Sequence, residues 1–155
     1  PNAVNDASFL GHLLVLPTGQ IMFTDFTTDI EILTSTGTFK GTWRPVVKSY
    51  PKSVTAGGTN YVISGTQFNG LTQGAAYGDD FQDATNYPLV RIVNKATGHV
   101  FYCKTHNHST MGVATGSSSV STMFDVPADI ETGPSQIFVV ANGIPSIVKP
   151  ITVVQ

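Results

Sequence analysis

From residue 46 onward the chain repeats one unit: a short run rich in Val, Ile, Phe and Tyr, closed by a cluster of Gly, Pro or Asn. The runs fall at 46–50, 60–64, 89–94, 100–105, 119–125, 136–141 and 147–154. Between them stand Ala56-Gly-Gly, Asn94-Lys-Ala-Thr-Gly98, Gly133-Pro and Asn142-Gly-Ile-Pro145, each able to supply a positive φ or a fixed proline φ. Apolar residues nowhere keep a helical period for three turns, so no long helix is expected. The spacing predicts about seven antiparallel strands in a small sandwich.

The first forty residues differ. Leu13-Leu-Val-Leu, Ile21-Met-Phe-Thr and Ile30-Glu-Ile-Leu read as short strands, the first two joined by a tight Pro17-Thr-Gly-Gln turn. A hairpin of this size is marginal alone and must lean on something. Residues 34–45, rich in Gly, Thr and Ser, have no sustained period and read as a connector. The division expected is therefore a hairpin segment over 1–40 and a sandwich over 41–155. The stretch 65–86 exceeds a normal hairpin loop and is either functional or anchored on a neighbour.

At 155 residues the chain has room for one ordinary domain plus an appendage. Charged residues make up only 12%, against about a quarter in a typical soluble domain, and Thr, Ser, Gly and Asn carry the polar surface, as is common in extracellular β-proteins. Eight basic residues scattered along a chain of net charge −2 do not form the cationic stripe that nucleic acid requires. No apolar run approaches the roughly 18 residues of a membrane-spanning helix. Cys103 is the single cysteine, so no internal disulfide forms. The chain opens at Pro1 with neither a start Met nor a signal-peptide pattern, which gives the expectation of a piece of a longer or processed protein.

Chemistry-bearing residues gather in one place. Cys103 and three of the four histidines, His99, His106 and His108, lie within ten residues. His106 and His108 share a face if the strand continues through them. A mixed nitrogen and sulfur set of this kind suits copper or zinc, although the spacing matches no standard finger or protease signature. The other account is a buried Cys103 with histidines hydrogen-bonded at a sheet edge or domain interface. Asp79, Asp80 and Asp83 place three carboxylates within a short loop, a candidate oxygen set for calcium or else a solvated acidic turn. Asn107-His-Ser109 is a glycosylation sequon. No Gly-x-Ser-x-Gly elbow is present, and Cys103 and His106 fall on opposite faces of a strand, so a self-contained catalytic site is not expected. Tyr50, Tyr61, Tyr77, Phe81, Tyr87 and Trp43 are either a sugar-stacking patch or packing residues.

Taken in order, several motifs resemble the C-terminal region of galactose oxidase and its kelch-type radical-copper relatives. They are Leu16-Pro-Thr-Gly19, Asp29-Ile-Glu-Ile, Leu89-Val-Arg-Ile, Thr105-His106, Phe124-Asp-Val-Pro-Ala-Asp129, Gly133-Pro, and Ile137-Phe-Val-Val-Ala-Asn-Gly-Ile-Pro-Ser146. The resemblance implies an immunoglobulin-like (E-set) sandwich preceded by the last strands of a propeller, in a secreted protein. It also implies a role for the chain as a non-catalytic, structural accessory domain to a propeller lying elsewhere. Two functions of other classes stay open beside it. One is a copper-dependent oxidase to which His106 contributes a ligand; the other is a carbohydrate-binding, adhesion or self-assembling surface module, assisted by calcium. Where the family carries a Tyr-His pair before the apolar strand, this chain has Phe9 and Leu10, neither a copper ligand, and the nearby His12 is out of register by two.

Overall fold

The computed structural model describes residues 7, 10–25, 27–72 and 87–155. Among these, twelve strands form: β1 (His12–Val15), β2 (Ile21–Thr24), β3 (Ile30–Leu33), β4 (Val46–Ser49), β5 (Ser53–Thr55), β6 (Tyr61–Thr66), β7 (Leu89–Asn94), β8 (Val100–His106), β9 (Val120–Asp125), β10 (Gly133–Ala141), β11 (Ile144–Pro145) and β12 (Lys149–Val154). Among the described residues, helical structure is confined to short 3-10 turns such as Gly41–Trp43 in the connector. All seven runs expected beyond residue 45 form strands. Two elements were not foreseen. β5 holds a single inward residue, Val54, and β11 is two residues long, so neither has enough length to show a period.

β4 to β12 follow one pairing path, β4-β6-β9-β8-β7-β10-β12-β5, with β11 set against the end of β10. β8 is where the path turns. Its residues 100–103 pair with β7, and its residues 104–106 pair with β9. The strands on either side of this switch face each other across one core, an arrangement consistent with a β-sandwich. Alternation supplies that core directly: Val90 and Ile92 from β7, Ile137 and Val139 from β10, Ile151 and Val153 from β12, and Ile63, Val120 and Phe124 from β6 and β9 are all buried. β5 joins β12 in parallel, and the Tyr61 hydroxyl accepts a hydrogen bond from the Thr55 amide at 2.8 Å, tying that short strand to β6. Where β4 meets β6 the register shifts between Val47 and Ser49. Gly65 sits at this irregularity because a Cβ there would lie 1.8 Å from the Val46 carbonyl oxygen.

β1, β2 and β3 make a separate antiparallel sheet. In register, Leu14, Met22 and Ile32 share one face, and Val15, Ile21 and Leu33 share the other. Both faces are apolar, yet no residue of the three strands is buried. The sheet has no core of its own. Its β1–β2 turn touches the sandwich at the β10–β11 turn, where the two backbones approach so closely that a Cβ on Gly143 would lie 2.3 Å from the Gly19 Cα. The Arg44 guanidinium adds a second tie, donating from Nη1 to the Pro145 carbonyl at 2.9 Å.

Two stability outcomes follow from this packing. Phe124→Ala removes a ring with no exposed surface and is expected to cost about 3–5 kcal/mol in denaturant unfolding. Gly143→Ala places a side chain at φ 76°, which costs about 1 kcal/mol, and also wedges the turns apart. Limited proteolysis read by mass spectrometry is expected to show faster cutting within the first three strands than in the parent chain.

Candidate functional site

β8 delivers Cys103 and His106 to different places. Cys103 pairs with Val90 and points into the core, while two positions of alternation later Thr105 pairs with the inward Phe124 and His106 pairs with Met123 on the outer face. Cys103 is buried. Burial, helped by the nearby Asp125 charge, pushes its thiol up to about 12, so it stays protonated and behaves as a small apolar residue.

The strand ends at His106, because Asn107 adopts a left-handed φ of 49°. That single reversal undoes the shared face that a continuing strand would give. His106 donates from Nε2 to the Asp125 carboxylate at 3.1 Å on the outer face. His108 instead reaches the other side of β9, where its Nδ1 lies 2.9 Å from the Thr122 hydroxyl and its ring meets Tyr87 edge-on at 5.5 Å. Thr122 is buried, and its hydroxyl has two backbone carbonyls to donate to, His106 at 3.1 Å and Met123 at 3.0 Å, an arrangement satisfied when His108 Nδ1–H donates to the hydroxyl oxygen. His99 is elsewhere again, donating to Glu131 at 2.7 Å across the turn that joins β7 and β8.

Cys103, His106 and His108 are therefore not brought together, and no cluster of three or more His, Cys, Asp or Glu able to hold a metal ion occurs among the described residues. Leu10 has no ligating atom, and His12 opens β1 opposite Thr24, in the sheet away from β8. One imidazole already bonded to a carboxylate does not make a copper set, so the described residues alone do not fit copper. The calcium candidates Asp79, Asp80 and Asp83, together with Phe9, Tyr77 and Phe81, lie outside the described residues.

Sequence reasoning missed a different concentration of chemistry. Two grooves meet at Trp43, Asn142 and Ile144: an apolar one of about 380 Å³ beside Leu71, and a larger one of about 650 Å³ that runs under the β1–β2 turn to Arg91. The signal for it was present as the Asn142-Gly143 turn, whose two positive φ values let it meet Gly19. Nothing local to either stretch shows that residues 17–20 and 34–39 share a groove with Arg91 on the outer face of β7.

Electrostatics in the β8–β9 region run in one direction with pH. The backbone amide of Asn60 and the His106 side chain hold the Asp125 carboxyl below its usual range, so its contribution to stability is present at neutral pH and lost as pH falls through the folded pKa. Burial, then the neighbouring His106, lowers the pKa of His108 from 6.5. The unfolded chain thus takes up that proton first, and stability is again lost on acidification below the unfolded value. Melting temperature is expected to fall between about pH 7 and about pH 5. His108→Asn, which keeps a donor for Thr122 without a titrating ring, is expected to flatten that fall; an unchanged slope would remove His108 from the account.

No family model matches this chain and no curated protein matches it, so the site is read from its own geometry.

Proposed function

We propose that this chain is a non-catalytic structural domain that braces a β-propeller of the kelch type, in a secreted protein resembling galactose oxidase. The observation that carries the reading is the three-stranded sheet. It is apolar on both faces, with Ile30 61% and Leu33 63% exposed on opposite sides. A sheet that packs on one neighbour needs one apolar face. One that stands between two neighbours, as a propeller blade does, needs two.

The sandwich supports the same reading. β4-β6-β9 with the second half of β8, set against the first half of β8 with β7-β10-β12-β5, is an order compatible with an immunoglobulin-like sandwich in which β5 is an added edge strand. In this reading residues 1–40 belong with the propeller and 41–155 form the E-set domain. His106, on an outer face at the end of β8, is a hydrogen-bonding residue paired to Asp125.

Replacing Ile30 and Leu33 by Glu tests the claim without disturbing the sandwich core. In the isolated chain the double variant is expected to melt within about 0.5 kcal/mol of the parent, since both side chains are already exposed. In the natural gene product, the same change is expected to release the first three strands to protease. A gene product with no propeller repeats before Pro1, or a double variant that unfolds the isolated sandwich, would reject the proposal.

A further inference from the structure

We infer that the groove between the β1–β2 turn and the outer face of β7 is a binding site for an acidic saccharide, a uronate whose carboxylate seats on the Arg91 guanidinium. The volume of about 650 Å³ lies within the range of roughly 300–1,000 Å³ typical of small-molecule sites. Its position, in the crevice between two packed units, is also a common one for ligands.

Arg91 is the reason for an acid. It stands on the outer face in line with Tyr102 of β8 and Phe138 of β10, and its guanidinium carbon lies 4.6 Å from the centre of the Phe138 ring. Stacking fixes the plane of the fork and leaves its edge for a bidentate partner. Arg91 lines the groove; its Nε is buried and has no hydrogen-bond partner among the described residues, so a carboxylate in the groove pairs with the terminal Nη groups. No Asp or Glu lines the groove. Nearby, the Lys40 ammonium lies over the Trp43 ring at 5.8 Å and Arg44 stacks on Phe39, so the region is cationic in a chain whose net charge is −2.

The rest of the lining explains why a sugar fits better than a bare acid. Thr18, Gln20 and Thr34 present hydroxyl and amide groups along one wall, where Gln20 Nε2 already donates to Thr34 at 2.9 Å. Phe39 and Trp43 are 40% and 39% exposed and line the same groove, offering ring surface for the C–H faces of a pyranose. The preference for acid over ester reads the groove, and protease release of the first three strands in the natural gene product reads the structural role, so the two fail separately.

Trp43 is the only tryptophan and lines both this groove and the apolar one beside Leu71, so its fluorescence detects binding and the Arg91 variants assign it to this groove. Titration of the whole chain with trigalacturonate is expected to give a saturable change. The fully methyl-esterified trimer and neutral maltotriose should bind at least about 10-fold more weakly, the cost of losing a charge-assisted pair. Arg91→Gln is expected to weaken trigalacturonate by a similar factor and to abolish its preference over the ester, with Arg91→Lys between the two. A non-saturable response, equal binding of acid and ester, or full affinity in Arg91→Gln would each overturn the assignment. If Arg91→Gln fails to fold, the comparison of acid with ester on the parent chain decides it.

Discussion

β8 exchanges partners half way along its length, and most of the sandwich depends on that exchange. Up to Cys103 it is hydrogen-bonded to β7; from Lys104 it is hydrogen-bonded to β9. A strand that serves two sheets must twist sharply and give up its bonds to the first before it completes those to the second. The cost is met by burial on both sides of the switch, where Cys103 packs among Val90 and its neighbours and Phe124 packs beneath Tyr61 with ring centres 5.6 Å apart. With the switch in place, β7-β10-β12 and β4-β6-β9 close over a shared core.

The same switch disposes of the histidine cluster. Side chains alternate along a strand, so Cys103 and His106, three positions apart, leave β8 in opposite directions. Asn107 then reverses the chain and sends His108 inward to Thr122. Three residues that are nearly adjacent in sequence end in three environments: a core, an outer face with a carboxylate, and a buried hydroxyl. His106 and His108 each pair one ring nitrogen with an ordinary partner, a carboxylate and a hydroxyl, and the pKa shifts of Asp125 and His108 follow from hydrogen bonding, neighbouring charge and burial.

How much of this could be read beforehand depends on the length of the pattern involved. Strands of six or more residues with clean alternation, such as Leu89–Asn94 and Val120–Asp125, were legible because their inward residues recur three times. β5 and β11 were not, since one inward residue has no period. Opposite faces for Cys103 and His106 followed from parity alone. The fate of His108 did not, because it hinges on the φ of one asparagine, and asparagine tolerates both the extended and the left-handed conformation. The Arg91 groove was invisible for a different reason: it joins residues 17–20 and 34–39 to residues 91 and 142–145, and nothing local to any of these stretches encodes that meeting.

The first three strands and the sandwich stand in unequal relation. β4 to β12 bury a full set of apolar side chains, and their register is pinned because a slip by one residue would turn Val90, Ile92, Ile137 and Val139 to solvent. β1 to β3 have no such constraint. A one-residue slip in β3 would exchange Ile30 and Ile32 for Glu31 and Leu33, and neither arrangement buries a side chain within the described residues. What holds the sheet in one place is therefore its turn, through the glycine-to-glycine contact at 19 and 143, with the Arg44 bond to the Pro145 carbonyl as a second tie. Contacts of that kind fix a position but supply little apolar burial, so the stability of this segment has to come from whatever covers its two faces.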